Sequence, residues 1–259
     1  MTETYARAPI VEASLLMRLQ TPEDISVAEA TETFEKLTTL AIKERQAVFE
    51  VSNTLVAISG SDSSLDSSHR AAGFVFIGDG ERISVVDDEL QYSKRFAPEA
   101  PYETWEVFIQ RAMVIANEAY SARGAAAVTG VGCRFVNRLP IPSADEASGF
   151  EISDYVRMSV PIPGMLPQVV RRMFAQVDIP FDDEAVSTRT TVFTDDVDEG
   201  TVLVLDIDTR RDVEPTTISE VEHYLSTIRS IKNTVFEAAI TDACRLRMRE
   251  PRTEPLGDD

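Results

Sequence analysis

The chain has 259 residues, enough for one large α+β domain or two small ones, and its 43% apolar and 27% charged residues are the balance of a protein that packs a core. Against 25 basic residues stand 44 acidic ones, a net charge of −19 at pH 7. That balance argues against the broad basic footprint a phosphate backbone requires, so a nucleic-acid partner is unfavourable and a soluble acidic surface is expected.

No apolar run approaches the length of a membrane span, so no membrane partner is expected. The first residues lack a basic segment followed by an apolar one, so no secretion signal is expected either. Cys133 and Cys244 sit inside apolar patterns and read as small buried hydrophobes rather than a disulfide or metal ligands. A reducing cytoplasm is the expected compartment.

Residues 1–8 read as a loose tail. Val11, Ala13, Leu15, Met17 and Leu19 then alternate with Glu12, Ser14 and Arg18, which predicts a half-buried strand. Ser26 and Glu29 form a capping box. Val27, Ala30, Phe34, Leu37 and Ala41 recur at helical spacing behind it, predicting a helix to about Gln46, and residues 48–58 read as a second strand.

The serine-rich run at 59–68 has too little to bury against its ordering entropy and reads as a mobile loop. It lacks the second glycine, the lysine and the following helix of a phosphate loop. Residues 71–77 and 82–86 read as a hairpin across Gly78-Asp79-Gly80, with a further strand at 90–96. Pro98 and Pro101 precede a helix whose apolar stripe is Trp105, Phe108, Ile109, Ala112, Met113, Ala116 and Tyr120, and Gly124 closes it.

The middle of the chain, Gly130-Val131-Gly132-Cys133-Arg134-Phe135-Val136-Asn137-Arg138, reads as a strand that leaves through Pro140-Ile141-Pro142. Val131, Cys133 and Phe135 point to one face; Gly132, Arg134, Val136 and Arg138 point to the other. A short helical piece is expected near 150–156, and Pro161-Ile162-Pro163-Gly164 opens a rigid connector. Strands are expected at 169–179, 186–194 and 201–208, with turns at 180–184 and 195–200.

Thr217 and Glu220 form a second capping box and start a long helix. Its inward residues are Ile218, Val221, Leu225, Ile228, Val235, Phe236, Ala239, Ile240 and Ala243; a polar tail follows from residue 250. The expected fold class is α+β, with antiparallel sheets and long amphipathic helices; each half runs through a strand, a meander and a helix, which suggests a pseudo-duplicated architecture without sequence identity between the halves. The two halves, 1–160 and 161–259, are expected to act as one integrated unit.

Chemistry is sparse. His69 and His223 have no partner at ligand spacing, so no zinc site is expected. The acidic turn around Asp195 and Gly200 puts Val197 and Ile207 where a calcium loop needs oxygen ligands. Asp206 and Asp208 share a strand face in a D-x-D that holds magnesium in some phosphoryl-transfer sites, but with an apolar opposite face they read most simply as solvated or paired with Arg189 or Arg210. No Gly-x-Ser-x-Gly elbow occurs, and the outward row Glu12, Ser14, Leu16, Arg18 lacks the second acid of a triphosphate tunnel.

The remaining constellation is Arg134, Asn137 and Arg138 beside Gly130 and Gly132. Arginine forks recognise carboxylates and phosphates, and strand glycines admit a close neighbour. The simpler reading pairs these arginines with Glu12 or Asp206 inside the fold. No catalytic residue, cofactor or metal is expected; the candidate ligand-binding residues are Arg134, Asn137, Arg138, Asp206 and Asp208.

Four stretches taken in order carry a resemblance: Pro9-Ile10-Val11-Glu12-Ala13; Pro101-Tyr102-x-x-Trp105-Glu106; Arg134-Phe135-Val136-Asn137-Arg138; and Lys232-x-x-Val235-Phe236-Glu237-x-x-Ile240-Thr241-Asp242. Together they resemble a sporadically distributed prokaryotic family of conserved proteins of about this length, to which no activity is assigned. The resemblance runs from about Pro9 to Met248; the serine-rich run, and Leu16 where members are expected to carry an acid, depart from it. It implies one full-length unit, carries over no catalytic residue, and its patchy distribution suits phage-defence or toxin–antitoxin loci. The expectation is a non-enzymatic cytoplasmic interaction module that binds a protein partner or itself. The alternative is a sensor or enzyme for a small anionic ligand on the Arg134 strand.

Overall fold

The computed structural model describes residues 5, 8–20, 43–57, 63–141, 151–158, 163, 165, 172–197 and 200–249. The strands are β1 (Ile10–Gln20), β2 (Glu44–Ala57), β3 (Ser63–Ile77), β4 (Glu81–Val86), β5 (Glu89–Arg95), β6 (Ala127–Leu139), β7 (Phe174–Phe181), β8 (Val186–Val197) and β9 (Gly200–Thr216). They form one antiparallel sheet in the order β2-β3-β4-β5-β1-β6-β9-β8-β7. The α-helices are α1 (Trp105–Arg123), α2 (Val221–Ala239) and α3 (Asp242–Arg249), so the α+β class holds. The sheet runs unbroken across residue 160, through the pairing of β6 with both β1 and β9.

Alternation decides which side of the sheet the helices cover. Ala13, Leu15 and Met17 of β1 stand in register with Lys94, Tyr92 and Leu90 of β5 on one side, and with Phe135, Cys133 and Val131 of β6 on the other. Leu15, Cys133 and Tyr92 are fully buried there beneath Phe108, Ala112, Ile115 and Ala116 of α1 and Val221, Leu225 and Ile228 of α2. Each such large side chain contributes about 1.5–3 kcal/mol by leaving water. A second cluster joins Leu203, Leu205 and Ile207 of β9 to Ile231 and Val235 of α2 and to Cys244 and Met248 of α3. Both cysteines are free buried thiols.

The helix ends follow their sequence signals. Thr104 Oγ1 accepts from the Val107 amide at 3.2 Å, and Gly124 closes α1 with φ 63°, which favours glycine. Thr217 and Glu220 form the expected capping box, in which the Thr217 amide donates to Glu220 Oε2 at 3.0 Å.

Five expectations are corrected. β2 begins at Glu44, where pairing with Ile77 of β3 overrides the helical spacing expected to reach Gln46; the earlier part of that helix lies outside the described residues. Ser63 to Ser68 are not loop: they pair with Ala57 to Ser52 of β2, because a ladder is made of backbone bonds and accepts small polar side chains. β9 continues past Asp208 to Thr216, held by β6.

The long helix breaks at Ile240, whose extended φ −96°, ψ 154° lets it bridge Val156. The Thr241 amide donates to Tyr155 O at 3.1 Å and the Arg157 amide to Ala239 O at 2.7 Å, so residues 155–157 take up the freed backbone groups. The phase shift turns Ala243 outward and buries Cys244 and Met248 instead. Near the other end of the chain, Tyr5, expected in a loose tail, donates to Glu237 Oε1 at 2.8 Å.

Candidate functional site: the polar face of the sheet

The face opposite the helices carries the candidate residues. Arg134 of β6 forks onto Asp206 of β9: Nε donates at 3.0 Å and Nη2 at 2.6 Å. This is the internal pairing that competed with a ligand role. Hydrogen bonding to Asp206 holds the guanidinium above its ordinary pKa, so it stays charged. Asp208 receives Arg210 Nε at 3.0 Å, and Arg210 Nη1 goes on to Glu89 of β5 at 2.6 Å. Burial works against the Arg210 charge, but the carboxylates of Asp208 and Glu89 together more than offset it and the pKa rises. Arg189 pairs with Asp178 of β7 at 2.8 Å rather than with either aspartate of the D-x-D.

The two glycines of β6 have a specific reason. Arg210 of β9 reaches Glu89 of β5 by lying across β6 at Gly132, where a Cβ would stand 2.8 Å from Thr209 O and 3.0 Å from Arg210 Cγ. Arg18 of β1 likewise crosses Gly130 to Asp212 of β9 at 3.0 Å, and a Cβ at Gly130 would stand 3.2 Å from Arg18 Cβ. The close neighbours that these glycines admit are arginine side chains from flanking strands. Beside them Ser14 Oγ and Ser93 Oγ lie 2.8 Å apart, with Gln91 donating to Ser93 at 2.9 Å.

Asn137 does not join this group. The unbroken alternation of β6 puts it on the helix side with Val131, Cys133 and Phe135, where it is buried and its Nδ2 donates to Phe135 O at 3.2 Å and Leu205 O at 3.0 Å. It satisfies backbone groups at an irregularity of the ladder. Arg138 is exposed on the polar face, and its amide donates to Pro9 O at 2.8 Å.

Arg134, Asp206 and Asp208 do come together, around an open cleft of about 380 Å³ that Arg189 and Arg210 also line. Its remaining walls include Gln91, Gln176 and Thr191, with Leu16, Phe174 and Phe193 as apolar surface. Phe174 and Phe193 face each other across β7 and β8, a cross-strand pair with no marker in the linear sequence. Both carboxylates of the D-x-D accept from arginines, and among the described residues no three metal-ligating side chains group together.

On the helix face the chain holds a different kind of cation. The Lys232 Nζ lies 4.1 Å from the centre of the Phe135 ring, and Trp105 stacks on that ring at 6.1 Å. Burial pushes the ammonium down to about 8 and the neighbouring Cys133 thiol up to about 12.

A scan against protein-family models matches no family, and a search of curated proteins finds no match. Among solved structures, the chain aligns with the crystal structure of DynU16, a protein in the dynemicin biosynthetic locus. The two share 13% identity over 93% of this chain and 98% of that one, with a TM-score of 0.21. No helix among the described residues is long and apolar enough to cross a membrane.

Proposed function

We propose that this protein is a non-enzymatic interaction module that recruits a partner strand along the outer edge of β7. The outer backbone row of that strand carries the reading. The Thr194 amide donates to Met173 O at 3.0 Å, which makes Met173 and Thr194 a hydrogen-bonded pair. In an antiparallel ladder such pairs alternate, so Ala175, Val177 and Ile179 bond to β8. Phe174, Gln176 and Asp178 then turn their N–H and C=O groups outward, and Pro180 turns outward the side on which its missing N–H costs β8 nothing.

β7 ends the sheet, and among the described residues no strand pairs with its outer side. Phe174 is 68% exposed on the polar face and Val177 42% exposed on the other. An uncovered edge flanked by exposed apolar side chains is the surface on which strand addition operates. The strand order also supports reading the fold as a duplicated unit: β1 and β6 lie side by side, and each pairs with the last strand of the meander after it, β5 and β9. In that reading the module is one integrated body that presents β7 at its margin.

Gln176→Pro tests the edge, because it removes one outward N–H and leaves the β8 ladder intact. Partner capture that falls at least tenfold with an unchanged melting temperature is the expected result. Undiminished capture by that variant would place the interface elsewhere.

A second reading, a small anionic ligand in the cleft, is favoured by the convergence of Arg134, Arg189 and Arg210 on one opening. Arg134→Ala with an unchanged melting temperature and lost binding of inorganic phosphate or a small carboxylate would support it. The fork of Arg134 is already spent on Asp206, which is why the edge reading comes first.

A further inference from the structure

We infer that the strand recruited by β7 is β7 of a second copy, paired antiparallel about a two-fold axis at Val177. The inference rests on the edge reading above and adds the identity of the occupant. It comes from the order of side chains along Phe174-Ala175-Gln176-Val177-Asp178-Ile179-Pro180. Folded back on itself about Val177, this run sets Ala175 against Ile179 of the second copy and Val177 against its own counterpart, an apolar row on the helix side. On the polar side it sets the Gln176 amide against the Asp178 carboxylate of the second copy, and the Phe174 ring against its Pro180.

Neighbouring registers are poorer. An axis at Asp178 opposes two carboxylates, and one at Gln176 opposes each Phe174 ring to an Asp178 carboxylate. The Val177 register also brings Asp178 of the second copy beside Gln176, which lines the cleft, so the partner supplies part of the cleft rim. A C2 contact of this kind closes on itself and cannot grow into a fibre.

The net charge of −19 per chain opposes self-association at long range, while Asp178 at the contact is paired with Arg189 at 2.8 Å. Salt screens charges separated by more than about 8 Å at physiological strength and leaves burial of Phe174 and Val177 untouched. Self-pairing therefore strengthens as salt rises. A basic partner strand would do the opposite, which separates the two occupants.

The experiment is native mass spectrometry and light scattering of the full chain at tens of micromolar in low and high sodium chloride, beside Gln176→Pro and Val177→Cys. Val177 lies at a non-hydrogen-bonded position across the proposed axis, where Cβ atoms approach closely enough for a disulfide. Cys133 and Cys244 are buried, so an introduced thiol at 177 is the reactive one.

The expected result is a dimer, favoured by salt, lost in Gln176→Pro and captured as a disulfide in Val177→Cys. A dimer lost in Gln176→Pro but cross-linked only by a cysteine at 176 would overturn the register and keep the edge. A monomer under all conditions would overturn the second copy, leaving the edge reading to stand or fall on the capture comparison above. A dimer indifferent to Gln176→Pro would overturn the second copy at β7 and place self-association elsewhere, with the edge reading again decided by the capture comparison.

Discussion

On one face of β6 the Lys232 ammonium lies 4.1 Å over the Phe135 ring beside a buried thiol; on the other, the Arg134 guanidinium is forked onto Asp206 at 2.6 to 3.1 Å. The two cations are held by opposite means. Under the helices the lysine loses hydration against the Phe135 ring, so its proton is loosened. On the polar face Arg134 and Arg210 gain carboxylates and keep their charge, and glycines clear the way for the side chains that cross between strands. The same thirteen-residue strand thus accommodates a destabilised cation on its core side and a lattice of satisfied ones on the other.

The sharpest way to break the core side is Phe135→Ala. Phe135 is 1% exposed and its ring meets Tyr102, Trp105 and Phe108, so the loss expected in urea unfolding is about 3–5 kcal/mol. On the polar side, Gly132→Ala drives a Cβ to 2.8 Å from Thr209 O and should cost about 1–3 kcal/mol. An equally stable variant would show that the Arg210 crossing has room to spare.

Lys232 gives the comparison a pH signature. Its folded value of about 8 lies below the ordinary 10.5, so the folded chain holds fewer protons than the unfolded chain between those values. The penalty for burying the charge is complete below pH 8 and is relieved as pH rises from about 8 towards 10.5. Cys133 works in reverse: its thiol is held to about 12 against an ordinary 9.0, so its contribution to stability declines above pH 9. The Lys232→Met chain should therefore be more stable at pH 7 by on the order of 1–3 kcal/mol, reduced by any lost cation–π attraction, and its advantage should shrink above pH 8. An advantage that stays constant with pH would show that the ammonium is hydrated in the fold.

The smallest effect belongs to the Arg134–Asp206 pair. With 39% of the Arg134 side chain exposed, a double-mutant cycle with Ala at both positions should give a coupling of about 0.5–1 kcal/mol.

Much of this was readable from residue patterns, and the exceptions share a cause. The alternation in β1, the stripe of α1 and the capping box at Thr217 are local signals, and the structure follows them. Ser63 to Ser68 entered a strand because the preceding β2 supplied a partner, and α2 broke at Ile240 because residues 155–157, some eighty positions earlier, supplied bonds; neither segment's own composition announces its partner. The pairing of Arg134 with Asp206 was one of the two readings open at the start. The helix-side position of Asn137 follows from the same two-residue alternation that places Cys133 and Phe135 there, whereas the purpose of Gly132 required knowing which strand lies beside β6. Arg189 and Phe193 entered the cleft through strand order alone.

The position of β1 also bears on how the protein is made. It is the first of these strands to be synthesised, yet it lies at the centre of the sheet, and its partners β5 and β6 begin only at Glu89 and Ala127. A chain leaving the ribosome must carry the apolar face of β1 unpaired until those strands emerge, while the β2–β5 meander can close behind it from neighbouring segments. Such long-range closure is slow, on the order of milliseconds to seconds for comparable β-rich topologies. During that interval the net charge of −19 is what the sequence itself sets against aggregation.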